Sequence, residues 1–117
     1  MAGNSNSHLK WIIDTGASDH MIHNHQYLIK ENLVDSRGKV KLPTGESAIV
    51  SHIGSVQLNE CDMISEVMSI PTFKFNLLSV HKLTKELNCY ASFFHTHCVF
   101  QDLLSGKVKG IGKVEYV

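Results

Sequence analysis

Asp14 ends a short apolar run in the stretch WIIDTGAS, residues 11–18, and Gly16 follows two positions later. Burying a carboxylate at the end of a strand costs free energy unless hydrogen bonds compensate for the lost water. Such a position therefore suggests either a structural hydrogen-bond role or a catalytic one. The backbone N–H groups of a tight turn, which Gly16 allows, can bind such a carboxylate and hold it in place. This pattern fits either an acid that caps a turn or an acid with a catalytic role, and the tetrapeptide Asp-Thr-Gly-Ala alone leaves both open.

The histidines form a second group that could bind a ligand. Three fall within six residues and two more lie beside a cysteine. They are His20, His23, His25, His95 and His97, with Cys98. Imidazole and thiolate both suit zinc, but no Cys-x-x-Cys pair completes a set of ligands. We therefore expect a solvated loop at the first three histidines, no metal site and no cofactor.

Composition excludes several classes of protein. A chain of 117 residues fits one domain, and 11 basic against 11 acidic residues give a net charge of zero. No field of one sign therefore directs the chain to nucleic acid or to an anionic membrane. No apolar stretch approaches the roughly 20 residues that span a bilayer. Three cysteines, an odd number without metal-type spacing, favour free thiols in a cytosolic compartment.

Short apolar and β-branched runs recur along the chain between turn signals. They predict strands at about 9–14, 38–42, 48–58, 63–70, 89–94, 97–102 and 107–116, with turns at 42–47, 59–62 and 103–107. Val80, Leu83 and Leu87 have helical spacing, so we predict one short helix at 80–88 that stops at Asn88. Residues 20–32 fit either a helical turn or an irregular loop. The whole pattern predicts an all-β domain, a closed barrel or a sandwich.

Three stretches resemble one family of proteases. WIIDTGASDHM, residues 11–21, resembles the active-site loop of retroviral-type aspartic proteases and is closer still to W-I-x-D-[ST]-G-A-S-x-H-M of copia-type LTR retrotransposon proteases. IPTFKFNLLSVHKLTKELNC, residues 70–89, is similar to that family's V-P-x-[FL]-x-x-N-L-L-S-V-x-[KQ]-L. CVFQDLLSGKVKGIG, residues 98–112, is similar to C-x-[IF]-x-D-x-x-[ST]-G-x-x-I-G-x-G. The three stretches follow the family's order.

The resemblance implies a retropepsin-like domain over residues 9–117, after a flexible lead-in at 1–8. It implies a catalytic Asp14 in a loop supported by Thr15 and Gly16. Substrate contacts are then expected just after the loop and in a hairpin, the flap, that folds over bound peptide. The residues are Ala17, Ser18 and Asp19 after the loop, and Leu42, Pro43, Thr44, Gly45, Glu46, Ser47 and Ala48 in the flap.

The number of acids then predicts an assembly. Aspartic proteases hydrolyse peptides with two carboxylates that share one proton, and this chain has one Asp-Thr-Gly. A chain this short does not hold two lobes, so we expect a homodimer with one Asp14 from each subunit. The implied activity is that of an aspartic endopeptidase cleaving Gag-Pol polyprotein sites in the cytoplasmic particle of a retrotransposon. No direct contact with nucleic acid or membrane is expected.

The sequence also departs from the family. The flap has only Gly45 where retroviral flaps are glycine-rich, and the hairpin that usually precedes the catalytic strand is missing. We expect the late hairpin at 97–116 to take its place, as a partial permutation packed beside strand 9–14. Two alternatives remain: a catalytically silent or domesticated relative used for dimerisation or peptide binding, and a His/Cys metal-dependent module that binds nucleic acid.

Overall fold

The computed structural model describes residues 9–34 and 38–113. The predicted lead-in at 1–8 and the last residues of the predicted final strand, 114–116, lie outside the described residues. No helix among the described residues is long and apolar enough to cross a membrane.

The described part of the chain is mostly β-strand, as predicted, with one short α-helix in its C-terminal half. The strands are β1 (Trp11–Asp14), β2 (Met21–Ile22), β3 (Ile29–Leu33), β4 (Lys39–Lys41), β5 (Ser47–Ile49), β6 (His52–Gln57), β7 (Met63–Ser69), β8 (Asn76–Ser79), β9 (Cys89–Phe93), β10 (His97–Asp102) and β11 (Val108–Lys113). Helix α1 is Val80–Leu87, and a 3₁₀ helix spans His25–Tyr27.

The strands form three sheets. The largest has six strands in the order β1-β8-β2-β7-β6-β3, so β1 and β3 lie at its opposite edges. A second sheet has the order β11-β10-β9, and β4 and β5 form a separate hairpin. Strand β1 pairs in parallel with β8, and Asp14 lies opposite Ser79. This pairing brings the end of the Asp14 strand to the start of α1. The retropepsin fold and the closure of the strands into a barrel stay predictions.

The apolar residues form two clusters, one on each side of the central strands. Neighbours on a strand point to opposite faces, so Met21 and Leu77 join one cluster while Ile22 and Leu78 join the other. One cluster includes Leu83 of α1, together with Val56, Ile64, Val67, Cys89, Cys98 and Phe100. The other lies under the β4–β5 hairpin and includes Leu42, Ala48, Val50 and Ile70. The central strands are therefore apolar on both faces, which masks the alternating pattern of a half-buried strand.

The single strand predicted at 48–58 is wrong, because the chain changes sheets in its middle. The Val50 N–H still donates to Gly38 O in the hairpin, at 3.0 Å. The next amide, Ser51 N–H, donates to Ser69 O at 2.9 Å and so joins β7 of the large sheet. Strand propensity is continuous across this point, so only the change of partner marks the break.

The segment 20–32 carries a helical turn, one of its two predicted alternatives, together with strands that were not predicted. It contains the two-residue strand β2, the 3₁₀ helix and the edge strand β3. The Asn24 side chain caps the 3₁₀ helix by accepting the Gln26 N–H at 2.9 Å. A two-residue strand is too short to leave a periodic pattern, so β2 has no signal in the sequence.

Helix α1 is where it was predicted, within one residue. The Ser79 hydroxyl accepts the Lys82 N–H at 3.1 Å and caps the N-terminus. Asn88 ends the helix in the left-handed conformation, with φ of 52°. The late hairpin is also confirmed: β10 and β11 pair antiparallel on either side of the predicted turn. Cys61, Cys89 and Cys98 are free thiols, as expected.

Candidate functional site

Asp14 lies at the end of β1, where the chain leaves the sheet and turns. The Gly16 N–H donates to Asp14 Oδ1 at 2.8 Å. Asp14 is half-buried, whereas Thr15 and Gly16 are exposed. The backbone of the turn thus fixes one oxygen of a carboxylate that remains accessible at the sheet edge. A turn cap and a catalytic acid both predict this hydrogen bond.

Ser79 connects the Asp14 loop to the sheet and the helix. Its hydroxyl donates to Ala17 O at 2.7 Å while it caps α1. The side chain is fully buried, so both hydrogen bonds are shielded from water. The backbone just after Asp14 is therefore attached to the first turn of α1 through one side chain.

His20 adds a second connection at the same point. The Ser79 N–H donates to His20 Nδ1 at 3.0 Å, so the proton of the neutral ring is on Nε2. Burial first, and the positive charge of Lys82 second, lower the pKa of His20 from 6.5 to about 4. His20 Nε2 lies 3.8 Å from Glu86 Oε1, too far for a hydrogen bond. The pair is therefore a contact between a neutral ring and a carboxylate at neutral pH.

The predicted solvated loop is wrong for His20, which is fully buried. The physical reason is that its ring supplies the acceptor that the buried Ser79 amide needs. His23 is exposed, and its backbone N–H donates to Asn76 Oδ1 at 2.9 Å. The three histidines predicted to share a solvated loop therefore differ in burial: His20 is buried, His25 is half-buried and His23 is exposed.

The two residues after the loop hydrogen-bond each other. The Ser18 hydroxyl donates to Asp19 Oδ2 at 3.0 Å, and Ser18 is exposed while Ala17 and Asp19 are half-buried. Their contact with a substrate stays a prediction.

The predicted flap is the β4–β5 hairpin. Leu42 and Ala48 are buried with Leu77, so in the described chain they anchor the hairpin to the large sheet. The tip residues Pro43, Thr44, Gly45, Glu46 and Ser47 are exposed. The tip is a closed turn, in which the Gly45 N–H donates to Leu42 O at 2.9 Å. Gly45 has φ of 93°, a conformation that side chains with a Cβ rarely adopt.

Strand β11 packs beside β1. Gly112 lies so close to Ile13 that a Cβ at position 112 would be 3.1 Å from the Ile13 side chain. The late hairpin thus has the position that the resemblance led us to expect for it, although the permutation itself stays a prediction. An apolar cleft of about 730 Å³ lies here, lined among others by Trp11, Ile13 and Ile111, and Asp14 does not line it.

The buried roles of His20 and Ser79 were not predicted from the sequence. A signal was present for each. His20 lies inside the quoted family stretch, immediately before the buried pair Met21 and Ile22. Ser79 directly precedes the predicted helix, the usual position of a capping hydroxyl.

A family model described as "Pol polyprotein, beta-barrel domain" matches residues 11–89, more than half of the chain. The matched region runs from the first residue of β1 to the first residue of β9 and includes the Asp14 loop, the hairpin and α1. No curated protein and no solved structure matches the chain.

Proposed function

The chain belongs to the family of Pol polyprotein β-barrel domains, and on this premise we propose that it is an aspartic endopeptidase of the retropepsin type. It cleaves the Gag-Pol polyprotein of a copia-type retrotransposon, in the element's cytoplasmic particle. A retroelement Pol polyprotein is the source that the family implies, and such a polyprotein needs cutting into its parts.

One observation carries the proposal: the loop that follows Asp14, whose carboxylate accepts the Gly16 N–H at 2.8 Å, is fixed to the sheet and to α1 through buried side chains. The buried residues His20 and Ser79 support the loop from behind. A carboxylate that only caps a turn does not need a buried histidine and a buried serine to position its loop. A carboxylate that must reach a reacting peptide bond needs such support, because a misplacement of about 1 Å greatly lowers the rate of the reaction.

The mechanism uses two copies of Asp14, one from each subunit of a homodimer. Two carboxylates about 3 Å apart share one proton, because both cannot be ionised at that distance. The ionised carboxylate takes a proton from water as the water attacks the peptide carbonyl. The protonated one donates its proton to the carbonyl oxygen. The intermediate then collapses with proton transfer to the leaving amine, with no cofactor and no covalent enzyme intermediate.

The substrate is an extended polypeptide held between the Asp14 loops and the exposed flap tips, mainly through main-chain hydrogen bonds. Ser18 and Asp19 follow the catalytic turn, and the tip at residues 43–47 provides a mobile cover in the proposed complex. The apolar residues that anchor the flap, Leu42 and Ala48, keep the base of the hairpin fixed on the sheet.

The test is cleavage of peptides from Gag-Pol junctions by Asp14→Asn. We expect the substitution to lower kcat/KM by at least about a hundredfold, since it removes the acid and base while the amide keeps the size of the side chain. Glu60→Gln, which neutralises an exposed carboxylate outside the site, is the control and keeps full activity. Cleavage by the wild-type chain is expected to persist in EDTA.

Three outcomes would contradict the proposal. Cleavage by Asp14→Asn at the wild-type rate excludes Asp14 as the acid. Absence of cleavage by a wild-type dimer indicates the catalytically silent, peptide-binding alternative. Unfolding of the chain by EDTA, together with no cleavage by the metal-loaded chain, indicates a metal-dependent module.

A further inference from the structure

Three metal-binding side chains converge at the edge of the large sheet far from Asp14. One ligand atom from each of His25, Glu31 and His52 lies within 4.8 Å of the other two. His25 Nδ1 is 3.1 Å from Glu31 Oε2, and the rings of His25 and His52 stack with centroids 4.0 Å apart. Strand β3, which carries Glu31, is the opposite edge of the sheet from β1. This group, here the β3–β6 cluster, is therefore separate from the candidate active site.

The backbone is deformed where Glu31 enters the cluster. Ile29 pairs with Ser55 but Asn32 pairs with Ile53, so two residues of β3 lie opposite Gly54 alone. This is a β-bulge, and Lys30 within it has φ of 54°. Bulges change the direction in which side chains leave a strand, and they recur near functional sites.

Gly54 is what makes the bulge possible. A Cβ at this position would lie 3.0 Å from Ile29 O and 3.1 Å from Glu31 Cα. Those distances involve backbone atoms, which cannot rotate away. A glycine on β6 and a left-handed residue on β3 together bring Glu31 to the two histidines.

A hydrogen-bond chain fixes the tautomer of His52. The Ser51 hydroxyl donates to Ser69 O at 3.3 Å, so its oxygen is left to accept from His52 Nδ1, 2.9 Å away. The proton is then on Nδ1 and the lone pair is on Nε2. A metal-binding histidine is oriented in this way, by a hydrogen bond from the ring nitrogen that does not bind the metal.

We propose that His25, Glu31 and His52 bind one Zn²⁺ ion, with water in the fourth position. Two imidazoles and one carboxylate are a ligand set that zinc accepts. Ligand atoms on a tetrahedral zinc lie about 3.4 Å apart. His25 Nδ1 and Glu31 Oε2, 3.1 Å apart, are already close to this spacing, and the stacked rings of His25 and His52 must turn so that a nitrogen of each faces the ion. The ion joins the 3₁₀ helix, the edge strand β3 and β6. Its role is to stabilise this sheet edge, independently of the proposed protease activity.

The test uses the untagged full chain after removal of metals by EDTA and dialysis. Titration with ZnCl₂ near neutral pH is expected to show one zinc per chain and a rise in the melting temperature, whereas MgCl₂ has no effect. Glu31→Gln and His52→Gln weaken zinc binding by roughly tenfold or more. His81→Gln, which removes an exposed histidine on α1, is the control and binds zinc as the wild type does.

A measurement on the wild-type chain avoids any dependence on how the variants fold. The imidazole NMR signals of His25 and His52 are expected to shift on addition of ZnCl₂, while those of His81 and His95 do not. The proposal is overturned if the wild type binds no zinc, if the shifts appear at His95 or His97 instead, or if both cluster variants retain wild-type affinity.

Discussion

His20 shows how much one buried residue contributes to the candidate active site. It is fully buried, yet its ring accepts the Ser79 N–H, and Ser79 in turn holds Ala17 O. A protonated ring has no lone pair on Nδ1 and loses this hydrogen bond. The position of the Asp14 loop therefore depends on His20 staying neutral, which its lowered pKa of about 4 ensures at neutral pH.

The stability of the chain is expected to fall in acid because of this residue. Between pH 6.5 and about 4 the unfolded chain binds a proton at His20 that the folded chain does not. The free energy of unfolding therefore rises with pH through this window and is fully restored above it. The shift from 6.5 to about 4 corresponds to about 3 kcal/mol. Urea unfolding at a series of pH values measures the effect.

The contribution of His20 is isolated by comparing variants. His20→Gln is expected to flatten the pH dependence of stability between these values, whatever its stability at neutral pH. His81→Gln, an exposed histidine, keeps the wild-type slope. An unchanged slope in His20→Gln would show that other groups cause the acid sensitivity.

At the scale of elements, the junction of β8 and α1 organises the site. Strand β8 ends at Ser79, opposite Asp14 on β1, and α1 begins at the next residue. The same hydroxyl caps the helix and holds the backbone of the Asp14 loop. The helix is thus a fixed support for the loop as well as part of the core.

Ser79→Ala tests this junction. Loss of the cap is expected to lower the free energy of unfolding by about 1 kcal/mol. Cleavage should fall further than this instability explains, because Ala17 O loses the donor that holds the loop. Asn88→Ala is the matched control, since forcing alanine into the left-handed conformation at the other end of α1 costs a similar amount. Equal peptide-cleavage rates in the two variants would show that Ser79 acts only as a helix cap and does not position the Asp14 loop.

At the scale of the molecule, one Asp-Thr-Gly per chain makes assembly the central question. In the proposed homodimer the second copy approaches the end of β1, beside which β11 packs. Ile111 on β11 is 70% exposed, and other large apolar side chains of the region, Phe93, Phe94 and Val108, are also exposed. Exposed apolar surface of this kind is typical of interfaces between proteins. We therefore expect the dimer contact to include the β9–β11 sheet.

Ile111→Glu tests this expectation. A charge placed in a desolvated contact is expected to weaken the dimer by roughly tenfold or more and to lower specific activity at dilute concentrations. Leu33→Glu is the control: it places the same charge at an 81% exposed leucine on the opposite edge of the large sheet. Sedimentation equilibrium gives the dimer affinity. A strictly monomeric chain that still cleaves peptides would contradict the shared pair of Asp14 residues.

Local patterns were enough to predict much of this protein. Helical spacing and a stop at Asn88 placed α1, turn residues placed the late hairpin, and the stretch around Asp14 placed the strand and loop of the candidate site. These features depend on neighbours along the chain, because capping, turn formation and side-chain periodicity act within a few residues.

The tertiary structure decided what depends on distant partners. His20 is buried because Ser79, 59 positions later, presents an amide to it. The strand at 48–58 divides because its two halves find partners in different sheets. Glu31 meets His52 because a glycine on β6 permits a bulge on β3. The type of a residue does not reveal which remote group will be its hydrogen-bond or packing partner. The roles of these positions could therefore be assigned only from the assembled sheets.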